Sequence, residues 1–375
     1  MKKKMGKNGS QGMDRRTFLK ASSAISMGAA ATLGIPRGSS AQSVKKYSGE
    51  KIDAFCHIMP QKFTEALYKK CRPTWYIGNM KKLPALTNLD LRFKAMDKYE
   101  GMLQIFSLGM PPIEYAVPPK DAVDMARIAN DEMAELVNKY PNRFVGAVAG
   151  LPMNDMDATL RETERAIKEL KFKGVQIASS INGKPLDRPE FFGLYEMMAR
   201  YDLPIWIHPT KDIDIPDYPD EKVSRYGIHN NFAWAFETTK AMHRLVFSGV
   251  MEKYPNLKFF IHHCGAMLPF FVGRLPESSP EVGDVMKLTK PPLEYFKKFY
   301  VDTVLAGNTS ALMCGYSLFG ADKMLFASDY PYPGGAQKGD IALGEVIESV
   351  ERMNVTDEEK AKLFSRNARQ ILKLS

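Results

Sequence analysis

Three of the six histidines in the chain stand where apolar runs give way to polar residues. His57 closes the run from Lys51, His208 lies in Ile207-His-Pro209, and His263 precedes Cys264. A fourth such run ends at Asp329, in Ser328-Asp-Tyr-Pro331. Imidazoles and carboxylates are the side chains that hold metal ions and move protons near neutral pH. One histidine at a strand end is ordinarily structural; three, with an aspartate after the last run, turn the balance toward chemistry. His262 adjoins His263, and strand alternation sends it to the opposite face, toward covering helices. His229 and His243 fall in a predicted loop and a helix, away from the strand ends.

These residues need elements to bring them together. The apolar runs predict eight strands: 52–57, 102–108, 144–151, 174–178, 203–208, 257–263, 299–303 and 324–329. Between them lie helical patterns, such as Ala122, Met125, Ala126, Ala129, Met133 and Leu136 on one stripe. Lys139-Tyr-Pro-Asn142 and Lys253-Tyr-Pro-Asn256 repeat the same helix-to-strand joint, since proline stops a helix and asparagine favours the turn. Alternating strands and helices over about 330 residues predict an α/β fold, a single (β/α)8 TIM barrel with insertions. A doubly wound sheet is the alternative, but no glycine-rich phosphate fingerprint follows the first strand. In a barrel, strand C-termini form the active-site face, which is where His57, His208, His263 and Asp329 fall. Two long connections, 61–92 and 276–297, are expected to form lids or subunit contacts.

The first strand, with Phe55 and His57, resembles the opening strand of the amidohydrolase-related family, which includes the aminocarboxymuconate-semialdehyde and resorcylate decarboxylases. Trp206-Ile-His-Pro209, His263-Cys-Gly-Ala-Met-Leu-Pro269 with Gly273-Arg274, Leu325-Phe-Ala-Ser-Asp-Tyr-Pro331 and Asn367-Ala-Arg-Gln-Ile-Leu372 resemble its later motifs. The resemblance covers residues 51–373 and implies a barrel of the metal-dependent hydrolase type. It implies His57, His208 and Asp329 as metal ligands, and His263 with Asp329 as the catalytic acid/base groups. It further implies one divalent ion, Zn2+ first with Mn2+ or Fe2+ as alternatives, and a homodimer. The implied activity is non-oxidative decarboxylation of a small aromatic or unsaturated carboxylate. Hydrolysis at the same site is a second reading, and a metal-free binding or accessory protein a third.

That third reading comes from a departure: Phe55 stands where the family has a first ligand, and Cys264 replaces a glycine. Two imidazoles and a carboxylate still suffice chemically for zinc or ferrous iron. Asp53, two residues before Phe55 on the same expected face, lies about 7 Å from it along the strand, too far to replace it, and is read as a supporting residue. Arg92 is a candidate clamp for a substrate carboxylate, because a guanidinium can bind one bidentately. Trp75, Trp206 and Trp234 are candidates for an aromatic wall or for core.

The N-terminus reads differently. Arg15-Arg-Thr-Phe-Leu-Lys20 precedes a short, weakly apolar run and Ser39-Ser-Ala41, which together predict a twin-arginine export signal over 1–41 and a barrel domain over 42–375. The partner would be the twin-arginine translocation machinery, and the destination the periplasm. Eight basic residues against Asp14 give this leader a net +7 of the formal net charge of +9, leaving the remainder near +2. The basic character therefore does not indicate nucleic-acid binding, and no later run is long enough to span a membrane. Cys56, Cys71, Cys264 and Cys314 form no Cys-x-x-Cys pair and are expected as free, buried thiols.

Overall fold

The computed structural model describes residues 46–71, 74–275, 288–332 and 340–374. The predicted export signal, and residues 276–287 of the second long connection, lie outside these described residues.

Eight strands follow the predicted order. They are β1 (Lys51–Ile58), β2 (Met102–Leu108), β3 (Phe144–Ala147), β4 (Val175–Ala178), β5 (Ile205–His208), β6 (Phe259–Ile261), β7 (Tyr300–Asp302) and β8 (Met324–Leu325). Every neighbouring pair is parallel. β3 continues after Val148 as Ala149–Gly150, which pairs with β4, so one broken strand links two ladders. The circle closes beyond β8. The Ala54 N–H donates to Phe326 O (2.9 Å), Asp329 N–H to Phe55 O (3.0 Å) and His57 N–H to Tyr330 O (2.8 Å). First and last strands are thus stitched together by main chain, which removes the free edges of the sheet.

β1 departs from strict alternation. Its register against β2 shifts between Asp53 and Cys56, and two consecutive residues, Ala54 and Phe55, join the same interior cluster as Trp206 and Phe260. This is the signature of a bulge, which places one extra residue on a face. Asp53 therefore does not share a face with Phe55 and His57, as alternation predicts. It lies with Cys56 and Gln104, and Arg92 bonds to both of these.

The helices are amphipathic and cover the barrel. Pro119–Lys139 starts on proline, whose fixed φ suits a first turn, and buries Ala122, Met125, Ala126, Ala129 and Met133. Met156–Lys168 is capped by Asp155, whose side chain accepts from the Ala158 N–H at 2.9 Å. The first long connection is folded into helices Gln61–Lys70, Trp75–Met80 and Leu89–Met96, Arg72 and Pro73 aside. Among the described residues no helix is long and apolar enough to cross a membrane.

Candidate metal centre

At the C-terminal end of the barrel, one ligand atom each from His57, His208, His262 and Asp329 lies within 4.8 Å of the others. His57 Nε2 is 3.0 Å from Asp329 Oδ1, and His262 Nε2 is 3.4 Å from the same atom. Each imidazole is oriented by an acceptor behind it. His57 Nδ1 donates to Leu108 O at 3.1 Å, His208 Nδ1 to Pro209 O at 2.7 Å, and His262 Nδ1 to the Asp302 carboxylate. With Nδ1 committed, Nε2 of each ring is the atom left to face a metal, which on His262 would displace a proton; the acceptors behind the rings fix their direction. His57 Nε2 and His262 Nε2 are buried and find no hydrogen-bond partner. Three imidazole nitrogens and one carboxylate oxygen form a donor set that suits zinc, manganese or ferrous iron, so the residues present fit a divalent ion.

The position of His262 differs from its expected outward orientation. β6 ends at Ile261, and Trp206 of β5 pairs with Phe260 of β6. Both rings are interior, and alternation from them brings His208 and His262 inward together. His263 then begins a tight turn in which His263 (φ 57°), Cys264 (φ 54°) and Ala266 (φ 57°) all occupy the left-handed region. Backbone of this kind persists only where its surroundings hold it. Here the holder is Asp302, which accepts from His263 N–H (3.1 Å), Cys264 N–H (2.8 Å) and Val304 N–H (3.0 Å) while also binding His262. Sequence reasoning missed Asp302; its signal is a carboxylate ending the seventh apolar run.

Electrostatics follow from this packing. Burial alone would push the Asp329 carboxyl up, but the His262 and His57 imidazoles beside it override this and hold the group well below the usual carboxylate range. Burial pulls His262 down, yet Asp302 and Asp329 outweigh it and raise the imidazole to about 9. His208 is driven well below its ordinary value by burial and by its two histidine neighbours. His263 is lowered to about 4 by burial and then by His262, so it is neutral at physiological pH. Its ring centroid lies 4.0 Å from that of His262.

The other sequence candidates separate. Phe55 is fully buried beneath the cluster, 4.1 Å from His262 between ring centroids. Asp53 supports the site from behind, accepting from Ser328 N–H (2.9 Å), Ser328 Oγ (2.5 Å) and Gln104 Nε2 (3.1 Å). Arg92 is fully buried. Its guanidinium donates to Gln104 Oε1 (2.8 Å) and to the His57 carbonyl, and lies over the Tyr330 ring at 5.1 Å. It braces β1 and does not line the cavity above the cluster, so the structure gives it no contact with a substrate carboxylate.

That cavity, about 370 Å³, has His208, His263 and Asp329 at its foot and Trp75, Tyr76, Trp234 and Tyr332 among its walls. Trp206 is instead core, donating from Nε1 to Ala54 O at 3.0 Å. His229, expected away from the mouth, packs edge-on against Trp75 at 4.5 Å. His243 lies on the helix Ala233–Phe247 against Phe247. A smaller chamber of about 20 Å³, enough for one water, adjoins His208 and is lined by Glu114 and Gln176. Burial pushes the Glu114 carboxyl up to about 7. No disulfide joins the four cysteines; Cys56 and Cys264 are buried, whereas Cys71 and Cys314, expected buried, are half-buried.

Known proteins share this architecture. A 5-carboxyvanillate decarboxylase from Sphingomonas paucimobilis superposes with a TM-score of 0.76 at 23% identity, covering 87% of this chain and 99% of that one, a likeness of fold. A dihydroxybenzoic acid decarboxylase from Polaromonas sp. JS666, solved with bound manganese and the inhibitor 2-nitroresorcinol, matches with a TM-score of 0.71 at 26% identity over 87% and 97% of the two chains. In sequence, the 2-amino-3-carboxymuconate-6-semialdehyde decarboxylase of Dictyostelium discoideum is 31% identical over 287 residues, 76% of each chain. The amidohydrolase family profile matches residues 52–374, and the chain, with its closed barrel and its histidine–aspartate centre, belongs to that family.

Proposed function

We propose that this enzyme is a metal-dependent carboxy-lyase that removes carbon dioxide from a small aromatic carboxylate. The observation that carries the reading is the convergence of His57, His208, His262 and Asp329 at the foot of an aromatic-walled cavity. The decarboxylases among its relatives, one of them holding manganese, support the same reading. A bound divalent ion would supply Lewis acidity, drawing the substrate carboxylate to the cluster and spreading its charge.

The chain's own residues supply the rest. Trp75, Tyr76, Trp234 and Tyr332 would hold a flat ring and exclude water from it. His263 would deliver the proton to the ring carbon that bears the carboxylate; the carbon–carbon bond then breaks and its electron pair returns to the ring. An imidazole titrating near 4 is neutral at neutral pH, so His263 would first take a proton from solvent or from the bound acid and then pass it on; once protonated it is a stronger acid than ordinary histidine. Asp329, held ionised by its histidine neighbours, would be a ligand rather than the proton donor.

The presence of His262 as a further donor supports a retained metal centre over a metal-free binding protein, despite Phe55. The test is elemental analysis of the purified protein after expression with zinc, manganese or iron, alongside carbon dioxide release from a panel of hydroxybenzoates. Less than about a tenth of an equivalent of metal would overturn the metalloenzyme reading. Metal at stoichiometry with hydrolysis of esters or amides, and no carbon dioxide, would replace the lyase by a hydrolase. We propose also that residues 1–41 direct export through the twin-arginine route to the periplasm; the Arg15-Arg16 pair, the apolar run and Ser39-Ser-Ala41 support this.

A further inference from the structure

The barrel mouth has two lobes. The first is the ring-walled cavity above the cluster. The second, about 290 Å³, is walled by Ala235 from the helix Ala233–Phe247, by Ala266 after β6, and by Val304, Leu305 and Ala306 after β7. Both lobes are bounded by Asn230, Asn231, Trp234, His263 and Asp329, so the Asp329 carboxylate and the His263 ring stand at their junction.

The two walls differ in chemistry. Away from the shared Asn230, Asn231, Trp234, His263 and Asp329, flat rings with Asn79 and Met110 line the first, and saturated carbon lines the second. Ala266 and Ala306, at φ 57° and 49°, hold a left-handed backbone with the smallest side chain that is not glycine, and leave the second lobe open. The far wall, made by the side chains of Ala235, Ala266, Val304, Leu305 and Ala306, offers no side-chain hydrogen-bond partner, so a polar substituent reaching it would lose water without replacement. An alkyl chain would gain, by about fourfold in affinity for each methylene taken out of water.

We propose that the second lobe is a subsite for an alkyl substituent, so that the substrate is an aromatic carboxylic acid carrying an alkyl chain. The carboxylate meets the cluster, the ring lies among Trp75, Tyr76 and Tyr332, and the chain passes His263 into the space bounded by Ala235 and Leu305. This rests on the carboxy-lyase reading above for the position of the carboxylate.

The test compares 2-hydroxybenzoate with 2-hydroxy-6-propylbenzoate on the full-length, metal-loaded protein, by calorimetric binding and by carbon dioxide release. The propyl acid should bind on the order of tenfold or more tightly. Ala235→Phe, which fills the lobe from one side, should erase that difference, and Leu305→Ser, which makes the wall polar, should reduce it. Equal binding of the two acids to the unaltered protein would overturn the subsite, as would a preference that survives in both variants. The reaction is judged separately. Tighter binding of the propyl acid without carbon dioxide release would refute the lyase and support the lobe, whereas release from both acids with equal efficiency would support the lyase and overturn the lobe.

Discussion

The ring of Phe55 lies 4.1 Å from the imidazole of His262, centroid to centroid and tilted by 33°. A residue that cannot bind a metal therefore packs directly beneath one that can. Phe55→His would place a further imidazole near the cluster and should tighten metal binding, read as slower loss of the ion to a chelator. It should also cost roughly 1–3 kcal/mol of stability, because a smaller polar ring replaces a fully buried phenyl. Unchanged chelator kinetics with His208→Ala as the metal-poor control would mean that the ion sits elsewhere.

His262 and His263 are neighbours in sequence with different tasks in this geometry. His262→Ala should weaken metal affinity by at least the roughly 10–100-fold that loss of a mere outer-shell partner costs. His263→Ala should retain the metal and lose turnover, by a factor of roughly 10²–10⁴ for a lost proton donor. Elemental analysis and carbon dioxide release on the two variants separate these outcomes; metal loss in the second and not the first would exchange the assignments.

Glu114 gives stability a pH dependence. Its carboxyl titrates near 4.5 when unfolded and near 7 in the fold, because burial disfavours the charged form. Between those values the folded state keeps a proton that the unfolded state has lost. Its contribution is therefore present below about 4.5, falls as pH rises to 7, and is gone above. Glu114→Gln should raise stability at pH 8 relative to pH 5 by on the order of 1–3 kcal/mol, measured by urea unfolding at both values. An equal change at both would show that the group is not titrating.

Gly315 touches the strained turn from outside. A Cβ placed there would lie 2.2 Å from Cys264 Sγ, well inside contact distance. Gly315→Ala should destabilise the fold by roughly 1–3 kcal/mol and disturb the His263 turn. Gly315→Ala with Cys264→Ala relieves the clash, and its thermal midpoint should recover part of the loss.

Export is read most directly in cells. Arg15→Lys with Arg16→Lys should retain the protein in the cytoplasm, because the machinery reads the arginine pair rather than its charge. Fractionation that still finds the double variant in the periplasm would refute the signal.

Much of this organisation was legible in the sequence, and two of the failures, Asp53 and His262, share one cause. Strand order, helix faces and the placement of His57, His208 and Asp329 follow from apolar period and turn residues. Parity along short strands was less secure. A bulge in β1 moved Asp53 off the Phe55 face, and a β6 that ends at Ile261 turned His262 inward, beside His263 at the mouth. An error of one residue reverses the face of everything after it. Arg92 was misplaced for a different reason: a long, charged side chain reads as exposed unless its partners are known, and those partners, Gln104 and the His57 carbonyl, come from other elements.

The backbone bonds between Phe55, His57 and the segment Phe326–Tyr330 have a temporal meaning as well. His57 leaves the ribosome long before Asp329, so neither the seam nor the metal centre can exist until the eighth strand has been made. The ion would have to wait for the last strand of the barrel, and once bound it would rivet the first strand to the eighth. Resistance to chelators and resistance to unfolding should then rise and fall together, as two readings of one seam.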